Sequence, residues 1–415
     1  MKQNTTYKQT ELGLIPEDWE VKKLGECSSI SGDYGINAPA VKFSEDLPTY
    51  LRITDIDDDG NYSKENKVSV KDDNSESFIL DDEDIVFART GATVGKTYLH
   101  NKKENGDLVF AGFLIRFRTN FDILLPYYLK LYTNTDKYWN WVSVFSMRSG
   151  QPGINSKEYS NLKIPLPPLA EQKKIADCLS TWDNAIEKQN ALINALTDRK
   201  KALMQQLLTG KKRLPGFSDE WKEVSLIELA DFRRGSFPQP YGLPEWYDNE
   251  NGEPFIQVYD VGDNFNLKPT TKSKISELAQ VQSVFIKKGT LIVTLQGSIG
   301  KVAITNYDAY IDRTLLLFSS FKMKVDIYFI MYQIHNLFNI EKEKAPGGII
   351  KTITKEVLSN FKIKLPSFEE QTAIAEILTI ADRELQLQKE KLVQLQTQKK
   401  GLMQVLLTGK KRLIN

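Results

Sequence analysis

At 415 residues, 41% of them apolar, the chain is too long for one ordinary core and has enough apolar side chains for two or three. Two cysteines, Cys27 and Cys178, and two histidines, His100 and His335, are too few for a zinc cluster or a disulfide framework. No apolar stretch is long enough to span a bilayer, so no membrane role is expected and the cytoplasm is the expected location. A net charge of +1 and a pI near 7.6 exclude a uniformly basic DNA-binding domain but permit segregated patches.

Residues 1–166 read as a mixed α+β head, with short β-rich runs such as Asp84–Ala88 and an amphipathic helix near Pro126–Val144. Both cysteines are expected to be ordinary buried side chains. Asp55-Ile56-Asp57-Asp58-Asp59-Gly60 resembles the start of a calcium loop, but Asn66 stands at position twelve, where a bidentate glutamate is required. A solvated turn is the expectation there. Gly91-Ala92-Thr93-Val94-Gly95-Lys96-Thr97 follows a strand and ends in GKT, yet its spacing is one residue short of a phosphate loop. A glycine-permitted turn presenting Arg89, Thr90 and Lys96 is the alternative.

Residues 167–213 carry a heptad seam through Ile175, Leu179, Trp182, Ile186, Gln189, Ile193, Leu196, Lys200, Leu203 and Leu207. Pro167-Pro168 blocks extension backwards, Glu171 sits near the positive end of the helix dipole, and Gly210 is placed as a C-terminal cap. The Lys-Lys-Arg that follows is expected to be a solvated basic cap. About 38 residues give a helix of roughly 57 Å, which needs a partner.

Residues 214–364 form a second α+β head, with a strand over Thr290–Leu295 and a helix near Tyr328–Ile340. Residues 365–415 then repeat the spacer, with a seam through Ile374, Leu378, Ala381, Leu385, Gln388, Leu392, Leu395, Lys399, Leu402 and Leu406, between Pro366 with Glu370 and Gly409. The two spacers match without a gap, from LPPLAEQKKIADCL over LPSFEEQTAIAEIL to KKALMQQLLTGKKRL over KKGLMQVLLTGKKRL. The heads match only in blocks: Trp19, Leu24 and Glu26 with Trp221, Leu226 and Glu228, DIVFARTGATVGK with TLIVTLQGSIGK, FDILLPYYLKLY with VDIYFIMYQIHN, and SKEYSNLKIPLPPL with TKEVLSNFKIKLPSF. Such a pattern predicts one scaffold carrying two different surfaces, and an antiparallel pairing of the two helices.

No carboxylate dyad, nucleophile with base or metal-ligand set occurs at matching places in both heads, so catalysis is not expected of this chain. What varies is the residue type that reads base edges. Arg148, Ser149 and Gln151 lie in MRSGQPG, Arg233 and Arg234 in FRRGSFPQPYG, and Lys351 after APGGII; Gln257, Tyr259, Gln296, Ser298 and Lys301 complete the set.

Head, spacer helix, head, spacer helix, with PLPPLAEQKKIA and LPSFEEQTAIA at the helix starts and LLTGKKRL at both ends, resembles the specificity subunits of Type I restriction-modification systems over essentially the whole chain. The resemblance implies two target recognition domains, each reading one half of a split asymmetric site in double-stranded DNA. It also implies an antiparallel coiled coil that spaces them and docks two modification subunits, in a complex with restriction subunits. S-adenosylmethionine, ATP and magnesium would belong to those partners, with no cofactor or metal bound by this chain. The family's turn pattern falls on Arg89–Lys96 and, shortened, on Gln296–Lys301, and its loop before the helix on Arg148–Asn155; in the second head that loop is reduced to Pro346-Gly347-Gly348-Ile349. A protein-only coiled-coil adaptor and an NTPase using Gly91–Thr97 are the competing classes.

Overall fold

The computed structural model describes residues 6–344 and 358–413. The chain divides into two compact units, one holding the residues up to Gln189 together with those from Lys391 onward, the other Asn190–Glu390. Each unit therefore contains one head and part of each long helix.

In the first unit the apolar run Ile85–Ala88 forms a strand buried on both faces. It lies in an antiparallel sheet ordered Ser28–Tyr34, Leu114–Thr119, Ile85–Ala88, Thr97–Leu99. Alternation sends Ile85 and Phe87 to one core with Tyr128, Tyr138 and Tyr159, and Val86 and Ala88 to another with Leu51, Leu108 and Phe110. The latter core leads to a second sheet ordered Leu108–Phe110, Thr49–Leu51, Val68–Val70, Ala40–Lys42, its first two strands parallel. The head's helix is broken into Pro126–Tyr132 and Asp136–Phe145, because Thr135 caps a restart by accepting the Tyr138 N–H at 3.4 Å.

The second unit repeats the first sheet strand for strand: Ala230–Arg234, Leu315–Phe321, Leu291–Thr294, Val302–Ile304. Its other sheet keeps the parallel pair, Glu253–Ile256 beside Ala309–Ile311, but flanks it differently, with Ser273–Ile275 on one side and Val284–Ile286 on the other. Its helix, Ile327–Lys344, is unbroken. Hydrogen bonds relate these helices in two ways. At their starts the Leu125 N–H donates to Gln172 and the Asp326 N–H to Gln371 (2.9 and 3.0 Å), so Leu125 corresponds to Asp326, three residues from the match of FDILLPYYLKLY with VDIYFIMYQIHN. Further along, the Tyr127 and Tyr332 hydroxyls bind the matched Asp183 and Asp382, one residue from that match, because the unbroken helix of the second unit has an extra turn before this point. Apolar periodicity alone cannot distinguish registers a helical turn apart.

In each unit a two-strand clasp, Glu20–Lys23 with Lys163–Leu166 or Lys222–Ser225 with Lys362–Leu365, brings the two ends of the head to a helix start. The spacer helices, Leu169–Leu207 and Phe368–Leu406, begin just after the prolines. They end at Gly210 and Gly409, whose φ of +71° and +72° a residue with a Cβ adopts only under strain. In the first unit Arg412 binds Glu171 and Lys399 binds Asp183, so the two helix segments run antiparallel. In the second unit Arg213 binds Glu370 and Lys200 binds Asp382 in the same sense. Leu179, Gln189, Leu378 and Leu385 are buried; Trp182, Ile186, Ile193, Leu196, Lys200, Leu203, Gln388, Leu392, Leu395, Lys399 and Leu402 are half-buried.

Three expectations are corrected here. The Lys-Lys-Arg cap is not wholly solvated: the Arg412 side chain is 7% exposed and grips Glu171 and Asp18, and Arg213 grips Glu370, because a buried carboxylate at each helix start demands a cation. Nor is the acidic turn wholly solvated. Asp55 and Gly60 are buried, and the Lys130 ammonium beneath Gly60 donates to the carbonyls of Asp59, Gly60 and Thr97. Burial draws the Lys130 pKa down to about 8. Finally, Cys178 is only half-buried, whereas Cys27 is buried and its thiol is pushed up to about 11.

Candidate nucleic-acid interface

The glycine turn after the strand Ile85–Ala88 is built for packing. Gly91 and Gly95 both have positive φ, and a Cβ on Gly95 would lie 2.7 Å from Val142 of the head's helix. Gly300 makes the same approach to Phe338 in the second unit. A phosphate loop needs free amides. Here the N–H groups of Gly91, Val94, Gly95 and Lys96 donate to Pro152, Gly91, Ala88 and Thr93, and the Thr97 hydroxyl is bonded to Thr133. The lysine at the end of each turn meets an exposed aspartate: Lys96 with Asp58 and Lys301 with Asp263, both at 2.6 Å, and each lysine holds its aspartate below the usual carboxylate range. Among the described residues no group of three or more His, Cys, Asp or Glu could hold a metal.

Backbone hydrogen bonds fix which loop positions correspond between heads. The N–H of Arg89 donates to Phe113 and that of Leu295 to Thr314; Ala111 donates to Leu51 and Asp312 to Ile256; Gly35 donates to Leu114 and Gly235 to Leu315. Arg89 therefore corresponds to Leu295, Gly112 to Arg313, and Tyr34 to Arg234. By the same frame Arg52 corresponds to Gln257 and Thr54 to Tyr259. The turn holding these last residues is identical in construction, since buried Asp55 and Asp260 accept the N–H of Arg52 and Gln257 at 2.9 and 2.8 Å. Arg52, Thr54, Tyr34, Tyr241 and Arg313 were not among the residues picked out from sequence. Laying Leu51-Arg52-Ile53-Thr54-Asp55-Ile56 over Ile256-Gln257-Val258-Tyr259-Asp260-Val261 would have found the first two.

Of the six arginines in the first unit, five face carboxylates: Arg52 meets Asp55, Arg116 and Arg118 meet Asp84, Arg148 meets Glu158, and Arg412 meets Glu171. Arg89 has no carboxylate partner among the described residues. Its guanidinium lies 4.7 Å from the centre of the Tyr34 ring and donates to the Gly112 carbonyl at 3.4 Å. In the second head Arg233, Arg234 and Arg313 are all exposed and without ion pairs among the described residues. Arg313 lies 5.1 Å from the centre of the Tyr241 ring, beside an open cleft of about 280 Å³ that Gln257, Tyr259 and Asp312 also line.

The residues singled out from sequence thus fall into groups. Thr90 is half-buried at the turn, beside exposed Ser149 and Gln151. Their neighbour Arg148 is committed to Glu158 through bonds of 2.6 and 2.7 Å. Gln296 and Ser298 are exposed on the second turn, while Gln257 and Tyr259 are bonded to each other at the cleft. Lys351 and Pro346-Gly347-Gly348-Ile349 lie outside the described residues.

The sequence matches the family profile of the type I restriction modification DNA specificity domain twice, over residues 16–198 and 218–397. The chain belongs to this family. This specificity subunit is 30% identical to the MjaVIII type I restriction enzyme specificity subunit of Methanocaldococcus jannaschii, over 97% of this chain and 95% of that one. Its fold is shared by a chain from a structural study of assembly and conformational transition in the type I restriction-modification system (TM-score 0.60, 21% identity, covering 96% of this chain and 99% of that one). The S subunit of the type I system of M. genitalium is also similar (TM-score 0.55, 14% identity, 98% and 97% covered). The specificity subunit carries two recognition domains, one per unit, on mixed α/β scaffolds joined by long helices that pack together.

Proposed function

We propose that each recognition domain reads one half of a split, asymmetric site in double-stranded DNA, that the helices set the gap between halves and dock two modification subunits, and that restriction subunits join this complex. The observation that carries this reading is the substitution of loop residues on a fixed frame. Arg52, Thr54, Gly112 and Thr90 in one head stand where Gln257, Tyr259, Arg313 and Gln296 stand in the other. A binder of one shared ligand would gain nothing from such divergence, whereas two unlike half-sites require it.

The polar chemistry suits phosphate contact as well. Lys96 and Lys301 are held by aspartates that are 95% and 88% exposed at the side chain. Solvent screens such surface pairs, so exchanging aspartate for phosphate costs little. With a net charge of only +1, modification subunits closing around the duplex would supply much of the remaining neutralisation. Methyl transfer, ATP hydrolysis and cleavage, with their S-adenosylmethionine, ATP and magnesium, are assigned to the partners, and the cytoplasm is the proposed location. No helix among the described residues is long and apolar enough to cross a membrane.

The test is to reconstitute the chain with its modification subunits and map the methylated bases on random-sequence DNA. A single two-part motif with unlike halves is expected. One uninterrupted motif, or methylation without sequence preference, would overturn the proposal.

A further inference from the structure

Resting on the half-site reading above, we infer that Arg313 and Gln257 are direct base readers of the second half-site, and that Arg89 holds the corresponding place for the first. A guanidinium stacked on an aromatic ring is held by its face, which leaves the N–H donors on its edge free to meet a ligand. Arg313 is held in this way by Tyr241, and Arg89 by Tyr34.

The two arginines leave the chain at different positions yet converge. Gly112 is the counterpart of Arg313, and the Arg89 side chain reaches across to the Gly112 carbonyl. Each head therefore brings a guanidinium that meets no carboxylate among the described residues to the same corner of the scaffold, from neighbouring turns. Where Arg89 would stand in the second head there is Leu295, and exposed Arg234 stands beside it in the place of Tyr34.

Arg313 sits on a rigid turn. Asp312 Oδ1 accepts both the N–H and the hydroxyl of Thr314, at 2.7 and 2.5 Å. The other oxygen, Asp312 Oδ2, is buried and has no hydrogen-bond partner among the described residues. Across the cleft the Gln257 carbonyl oxygen is taken by the Tyr259 hydroxyl, and its amide N–H groups have no partner among the described residues. A guanidinium fork matches guanine O6 and N7. The geometry therefore fits the guanine of a guanine–cytosine pair opposite Arg313, with Gln257 donating to a neighbouring base.

Arg313→Ala, Arg313→Lys, Gln257→Ala and Arg89→Ala, each in the full chain with its modification subunits, test this by methylated-base mapping and by DNA affinity. Arg313→Ala should relax one guanine–cytosine position of the second half-site by roughly 5- to 150-fold and leave the first intact. Gln257→Ala should relax an adjacent position, and Arg89→Ala a position in the first half-site only. Arg313→Lys keeps the charge but loses the fork, and should relax specificity as alanine does. Unchanged half-sites would overturn the inference, as would equal weakening on all sequences with rescue by lysine, the behaviour of a phosphate contact. A wild-type complex with no two-part motif would instead defeat the half-site reading beneath it.

Discussion

Glu171 and Glu370 sit in the first turn of their helices, where dipole and carboxylate attract. The structure gives them a larger role: each is almost wholly buried and accepts from a tryptophan indole, Trp19 or Trp221, and from an arginine near a chain segment's end, Arg412 or Arg213. Removing one partner of a buried pair leaves the other charge without compensation, at about 3–5 kcal/mol. Arg412→Ala should therefore destabilise the first unit by about 3 kcal/mol and leave the second unit's hydrogen-exchange protection unchanged, a difference that exchange measured segment by segment would show. His335 is the counterpart case of a neutral group: its ring is half-buried, with Nδ1 enclosed and unpartnered among the described residues. Burial brings its pKa down to about 4. An unfolded histidine takes up its proton near 6.5. Between these values the unfolded state binds more protons, so the second unit loses stability as pH falls from about 6.5 to 4, by on the order of 2–3 kcal/mol. Unfolding measured against pH should show that acid limb, and His335→Gln should flatten it.

At the scale of elements, the spacer helices were legible because they are regulated by simple periodicity. Proline, glycine and a heptad seam are local signals, and the observed bounds, Leu169–Leu207 and Phe368–Leu406, follow them closely. Lys200 and Lys399 were placed on the seam by spacing, but their partners, Asp382 and Asp183, lie on the other helix and were out of reach of a one-dimensional reading. The same aspartates accept the Tyr332 and Tyr127 hydroxyls at 2.5 Å, which ties each helix pair to its head. Because seven residues restore the seam and add about 10 Å, inserting one heptad into both helices at matched positions should lengthen the preferred gap between half-sites by about three base pairs at 3.4 Å each. Both half-site sequences should stay as they were. Methylation mapping reads this directly, and altered half-sites would count against the helices as a spacer.

At the scale of the whole molecule, duplication was visible in sequence wherever the scaffold constrains the residue, and invisible wherever it does not. Gly95 and Gly300 match because a helix side chain packs against each; Gly112 and Arg313 do not, because their loop faces outward and only the backbone frame relates them. The candidate surface was accordingly found in part: Arg89, Gln257 and Tyr259 from composition and loop context, Arg313 and Tyr241 only through the fold. Arg148 illustrates the reverse error, since nothing local announces that Glu158 will claim it. The division of the chain has a further consequence for synthesis. The second unit is one continuous stretch, Asn190–Glu390, but the first is completed only by residues from Lys391 onward. Met403, Leu406 and Leu407 belong to its core, and Arg412 closes on Glu171. On the ribosome, then, the first head waits with part of its core open while the whole second unit is made, until the residues from Lys391 onward emerge.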